Sequence, residues 1–167
     1  MGQRLIVVSN STPLINFAAI RRLDVLRELF GTITVPEAVE YELLQKGGHH
    51  LSAIELRQQW SELIDVRAIT NRALCRMFRL SIDDGEAEAL TLAIEHPPKF
   101  LLLDETRART LAESYDLKVT GTLGCLIRAK QSGIIPAVKP LLDAMQTDAR
   151  YWVSKTLYRR ILDENHE

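Results

Sequence analysis

Two short apolar runs that stop abruptly constrain this chain more than anything else in it. Leu5 to Val8 and Phe100 to Leu103 contain no polar residue, and each gives way to one, Asn10 after Ser9 in the first case and Asp104 in the second. Such runs suit strands buried on both faces of a parallel sheet. Parallel strands need long crossovers, so helices must separate them, and the residues that end the strands then emerge together at one rim.

The rest of the chain keeps that rhythm. Thr12-Pro13 supplies a cap and first turn, with short helices expected over Leu14 to Ile20 and Leu23 to Phe30, stopped by Gly31. Thr32 to Val35 reads as a strand, followed by a helix from Glu37 to Gln45 that Gly47-Gly48 closes. Ser52 to Leu80 is mostly helical in pattern, with Leu63 to Ile69 as a short strand or connection. Asp84-Gly85 opens a strongly periodic helix through Ile94, ended by His96-Pro97-Pro98. After the Phe100 strand come a helix from Thr106 to Tyr115, a short strand at Lys118-Val119-Thr120 and a helix from Leu123 to Gln131. Helical stretches around Val138 to Met145 and Val153 to Leu162 finish the chain. The expected architecture is an α/β three-layer sandwich with a mainly parallel sheet. One domain over 1–167 is expected, with a core of about 4–135 and a C-terminal helical extension of about 136–167.

Composition narrows the partners. With 167 residues and 46% apolar content, one core can form without metal or disulfide staples. Lys and Arg number 21 against 22 Asp and Glu, so no global field draws the chain to polyanions and any such site must be local. No apolar run approaches the roughly 20 residues a bilayer demands, and Ser9 to Pro13 interrupts the only candidate signal core, so a soluble, cytoplasmic protein with no membrane contact is expected. Cys75 and Cys125 have no CxxC spacing and no adjacent His, and read as reduced structural residues. His49-His50 follow the glycine pair without zinc-like spacing and carry no role.

Helical phase selects the acids. Glu86 shares its face with Ala89, Leu90 and Ala93 and should point inward, whereas Glu88 lies with Thr91, Leu92 and Glu95 and should be the more solvated. By the same test Glu42 sits over Ala38 and Val39. Inward carboxylates gathered near one another need a cation or a proton to offset their repulsion. Oxygen donors without His or Cys favour Mg²⁺ or Mn²⁺, and phosphodiester hydrolysis is the economical chemistry for such an ion. Taken singly, each residue has a plainer reading: Asn10 as a turn residue, Asp104 as a helix cap, Glu86 as a partner of its helix dipole. Thr120 and Thr122, flanking Gly121 before a helix, could offer hydroxyls to a phosphate or simply cap the turn. Arg107 and Arg109 could meet a nucleic-acid backbone or simply be solvated.

The segments VVSNSTPLI, VPEAVEYELL, DDGEAEALTLA, LLLDETRARTLA and VTGTLGCLIRAKQSGII, in that order and spacing, resemble a PIN-domain protein of the branch allied to the VapC-type toxins. The resemblance runs from the first strand to about Ile135. It implies a metal-dependent ribonuclease that hydrolyses RNA with a metal-activated water, restrained by a small antitoxin and commonly dimeric. It puts Asn10, Glu42, Glu86 and Asp104 at the four acidic positions, with Glu105 to assist Asp104 and Glu86, Asp104 and Asn10 as metal ligands. Trp152 and Leu157, expected to be exposed, would serve a dimer interface.

Asn10 is the departure, because PIN domains usually carry aspartate there. Asparagine keeps the ligating oxygen without the charge, so metal affinity should fall, and it cannot serve as a base. The competing reading is therefore a PIN fold without turnover that binds RNA or a protein. A phosphotransfer site would need a nucleophilic aspartate at position 10, and no GxGxxG or GxxxxGK[ST] motif follows any strand.

Overall fold

A computed structural model describes residues 5–46 and 50–167. Five strands form one all-parallel sheet: β1 (Val7–Ser9), β2 (Ile33–Pro36), β3 (Ile64–Arg67), β4 (Phe100–Leu102) and β5 (Val119–Thr120), in the order β3-β2-β1-β4-β5. The helices among the described residues are α1 (Ser11–Ala19), α2 (Leu23–Phe30), α3 (Glu37–Tyr41), α4 (Leu51–Leu63), α5 (Arg72–Phe78), α6 (Asp84–Glu95), α7 (Thr106–Glu113), α8 (Thr122–Gln131), α9 (Lys139–Asp148) and α10 (Lys155–Glu164). The Gly47-Gly48 stop and His49 lie outside the described residues.

Alternation along the strands divides two cores, as expected for a sheet covered on both faces. Val7, Val35 and Leu102 enter a core shared with α1, α2, α4, α8, α9 and α10. Val8, Leu101 and Leu103 turn the other way, into a core built with α5, α6 and α7. The three layers follow from this, and the α/β sandwich expectation holds. The C-terminal helices pack on the first core through Leu142, Met145 and Ile161. Leu157 packs against that core as well and is only partly exposed, which corrects its expected surface position; Trp152 is 80% exposed. No described helix is long and apolar enough to cross a membrane.

Three local details depart from expectation. The first helix is capped by Asn10, not by Thr12-Pro13, because Asn10 is extended (φ −83°, ψ −171°) and Ser11 already turns helically. The expected helix over Glu37 to Gln45 is α-helical only to Tyr41 and continues as a π-helical turn, Glu42–Lys46. Such a turn re-aims the side chains it carries, Glu42 among them. Glu88, expected at the solvent, is only partly exposed: its Oε2 accepts the Ala38 N–H at 2.9 Å at the start of α3 and its Oε1 pairs with Arg79 at 3.3 Å.

Candidate functional site

The strand order itself locates the crevice. From β1 the chain moves outward on one side to β2 and β3, then crosses to β4 and β5 on the other, so the connections leaving β1 and β4 part company at their carboxyl ends. Ligands in open parallel sheets bind at such a switch point. Asn10 follows β1 and Asp104 lies just beyond β4, with the Asn10 N–H donating to Leu102 O at 3.2 Å.

Asn10 is 4% exposed, and its side-chain oxygen is buried with no hydrogen-bond donor among the described residues. A buried acceptor left unpaired costs about 1–3 kcal/mol, so the site presents an oxygen that lacks a donor or cation. Next along the chain, the Ser11 hydroxyl donates to Glu42 Oε2 in a short contact. The π-helical turn thus delivers Glu42 to the start of α1. The Glu42 carboxylate also lies over Gly85, where an added Cβ would come within 2.7 Å of Oε1.

Glu86 stands one residue on. It is 6% exposed and locks the start of α6 in a reciprocal capping box: Glu86 N–H donates to Asp83 Oδ1 at 2.8 Å and Asp83 N–H donates to Glu86 Oε2 at 3.2 Å. Burial pushes its proton affinity above the ordinary glutamate range, and the charges of Asp83, Glu105 and Glu42 push the same way against the Asp83 N–H bond. The helical-phase expectation for Glu86 thus holds, together with a capping role. Glu105 is exposed and shares a cleft of about 500 Å³ with Asp83, Glu86, Arg79 and Arg107. Arg107 also donates to Ser81 O at 3.2 Å.

Asp104 occupies a different electrostatic setting. Its Oδ1 accepts the Thr122 N–H at 2.8 Å and its Oδ2 the Thr122 hydroxyl at 2.6 Å, so it caps α8 rather than its own following helix. Burial raises its proton affinity, while the Thr122 donors, the Arg109 guanidinium and the Tyr151 hydroxyl oppose that rise. Arg109 reaches inward to Leu103 O at 3.2 Å, so it braces Asp104 instead of standing on the helix exterior. Thr122 is fully buried and also receives Asn16 Nδ2 at 3.1 Å. Thr120 is 7% exposed and its hydroxyl crowds Gly124, where a Cβ would fall 2.1 Å away. Both threonines therefore buttress the strand end. Tyr151 and Asn16 were not legible beforehand, because neither belongs to a strand end or an acidic motif.

The structure thus groups Glu42, Glu86, Glu105 and Asp83 by charge, with Asn10 at the strand end beside Ser11, and ties Asp104 to Thr122 and Arg109. A divalent ion suits this donor set, since it is all oxygen and Mg²⁺ keeps several waters and takes only one or two carboxylates. No group of three or more His, Cys, Asp or Glu residues among those described forms a ready-made metal cage. Cys75 and Cys125 are free and buried, the latter pushed up to about 12 by burial and by Asp104.

Comparison with known proteins agrees with this architecture. No curated protein matches the chain. A family model described as a PIN domain matches residues 6–167, nearly the whole chain, and this together with the all-parallel sheet shows that the protein belongs to the PIN-domain family, generally a nuclease fold.

Proposed function

We propose that this protein is a divalent-metal-dependent ribonuclease acting at the switch-point crevice. The observation that carries the reading is the buried Asn10 oxygen without a donor, at a strand end next to Ser11, which holds Glu42, while burial and then the charges of Asp83, Glu105 and Glu42 raise the proton affinity of Glu86. One or two of the Glu86, Glu105 and Glu42 carboxylates, with the Asn10 oxygen, would hold Mg²⁺ or Mn²⁺, and Asp104 would support them from the β4 end. When bound, such an ion supplies charge for the scissile phosphate and lowers the pKa of an attacking water. The residues of this chain then hold the donor oxygens in place: Ser11 restrains Glu42, Asp83 restrains Glu86, and Thr122 restrains Asp104. A toxin role with a small antitoxin, and a homodimer, rest on the likeness of the motifs to the VapC-type branch.

A second reading, a PIN fold that binds RNA without turnover, is favoured by one feature, the missing charge at Asn10. Purified protein incubated with RNA in Mn²⁺ or in EDTA separates the two. Cleavage that needs the ion and disappears in both Glu86→Gln and Glu105→Gln supports the nuclease; intact RNA that still binds supports the second reading.

A further inference from the structure

A pair of cations occupies the end of the sheet away from the candidate site. The acids gather where the strands finish, whereas the amino ends of β1 and β4, paired at Val7 and Phe100, open on a cleft of about 440 Å³. Val7, Leu29 and Phe30 give it apolar walls, Gln131 and Ser132 a polar edge, and Lys99 and Arg128 its only charges among the described residues. The guanidinium carbon of Arg128 lies 4.2 Å from the centroid of the Phe100 ring, and Lys99 Nζ lies 5.8 Å from it. Phe30 tilts against the same ring, with centroids 6.1 Å apart. The Lys99 backbone is fixed, since its N–H donates to Ile6 O at 2.8 Å. Neither cation makes a side-chain hydrogen bond or ion pair among the described residues. Contact with a ring holds an arginine in place without using its N–H fork, which stays free for an acceptor.

Two plainer roles fit less well. Cations near a helix C-terminus can complement its carbonyls, and Arg128 lies in the last turn of α8. Yet α8 ends in a backbone cap: Gly133 is left-handed (φ +74°), its N–H donates to Lys130 O at 3.0 Å, and the Ile134 N–H donates to Ala129 O at 2.8 Å. Those carbonyls are already satisfied. Simple solvation of two separate side chains does not explain why like charges converge on one ring, because their repulsion has to be offset. The ring faces offset part of it, and a bound anion would offset the rest.

Arginine recognises phosphate or carboxylate through its planar fork, and lysine adds a point charge. Two cations without an acid suit a dianion better than a monoanion, and a phosphomonoester carries about two negative charges near neutral pH. The size of the cleft falls among those of small-ligand sites, so it admits part of an organic body as well. We propose that this cleft binds a phosphomonoester: Arg128 and Lys99 receive the phosphate, and Val7, Leu29 and Phe30 meet the group attached to it. The phosphate comes either from a free nucleotide or from the 5′ end of an RNA chain. Neither source depends on cleavage at the other rim.

The test is made without divalent ions, so that RNA stays intact. Calorimetry compares adenosine 5′-monophosphate with adenosine, and anisotropy compares a short RNA, labelled at its 3′ end, with and without a 5′-phosphate. Wild type should bind the phosphorylated member of at least one pair about tenfold tighter, as hydrogen bonds to charged groups predict. Preference for the nucleotide assigns the site to free nucleotides, and preference in the RNA pair alone assigns it to chain ends. Arg128→Gln and Lys99→Gln should each remove most of that preference with unchanged circular dichroism, whereas Lys155→Gln, which deletes an exposed charge on α10, should not. If Arg128→Gln does not fold, Lys99→Gln, at an exposed position, decides by itself. No preference in either pair overturns the proposal. So does a preference that survives both substitutions, or one that Lys155→Gln reduces equally, because overall charge would then account for it. Phosphate preference in a protein that leaves RNA uncleaved in Mn²⁺ keeps this site and sinks the ribonuclease reading; cleavage without the preference does the reverse.

Discussion

The Asp104 carboxylate and Thr122 are joined by two hydrogen bonds, from the backbone N–H at 2.8 Å and from the hydroxyl at 2.6 Å. One bond satisfies a free N–H at the start of α8 and puts negative charge at its positive end; the other fixes the carboxylate plane. Because the Thr122 hydroxyl also accepts from Asn16, Thr122→Val would strand a buried amide as well as free Asp104. We expect a loss of about 2–3 kcal/mol in denaturant unfolding, against about 1 kcal/mol for Thr122→Ser, which loses only a methyl group.

Two glycines should separate stability from activity. A Cβ on Gly121 would lie 2.6 Å from Asp104 Oδ1, 2.8 Å from Arg109 Nη1 and 3.2 Å from the Leu103 carbonyl. Asp104 is tethered and a carbonyl cannot retreat, so Gly121→Ala should cost about 1–3 kcal/mol. At Gly85 the nearest atoms to the added one, at 2.7 to 3.0 Å, all belong to the Glu42 carboxylate, the far end of a flexible side chain held by a single side-chain hydroxyl, that of Ser11. That side chain can swing away, and alanine suits a helix better than glycine. Gly85→Ala should therefore leave the melting temperature nearly unchanged while lowering divalent-ion affinity and RNA cleavage at least tenfold.

Asn10→Asp should have opposite effects without and with a divalent ion. In the metal-free protein a buried carboxylate next to Ser11, which holds Glu42, would be desolvated without a partner, so thermal stability should fall. In Mn²⁺ the added charge becomes a stronger ligand, and calorimetry should show affinity raised by more than about tenfold, roughly 1.4 kcal/mol. An unchanged affinity would remove residue 10 from the metal's immediate surroundings.

Glu167 provides a pH test remote from the site. Its carboxylate accepts the Val138 N–H at 2.7 Å, the Lys139 N–H at 2.9 Å and Lys130 Nζ at 2.8 Å, clamping the start of α9. Burial opposes its ionisation, but Lys130 and the two N–H donors outweigh it and hold the carboxyl below the usual glutamate range. A carboxyl depressed in the folded state contributes stability above its unfolded pKa and loses it as pH falls through the folded value. Glu167→Gln should thus cost about 1–2 kcal/mol at neutral pH, and the gap from wild type should close as the solution is acidified below the ordinary glutamate range.

Periodicity carried the reading of the strands and of Glu86, because both are local properties. The run Phe100 to Leu103 holds its strand, β4, and the Ala89, Leu90 and Ala93 stripe turns Glu86 inward. The same reasoning missed Glu88, whose environment depends on the Ala38 N–H and Arg79 rather than on its own helix face. It missed the π-helical turn that carries Glu42, and it put Leu157 at the surface because α10 was read without the core it covers.

By itself the amino-acid order determined the alternation of strands and helices, the position of Asn10 and Asp104 at strand ends and the inward phase of Glu86, since each depends on spacing within one element. Only the tertiary structure decided which acids share a field: it joined Glu86 to Glu42 and Glu105, and gave Asp104 to Thr122, Arg109 and Tyr151. Those partnerships form across crossovers, where the sheet order sets the neighbours and sequence separation does not. Asn10 belongs to both accounts: the chain names an uncharged residue at a strand end, and the fold buries its oxygen without a donor.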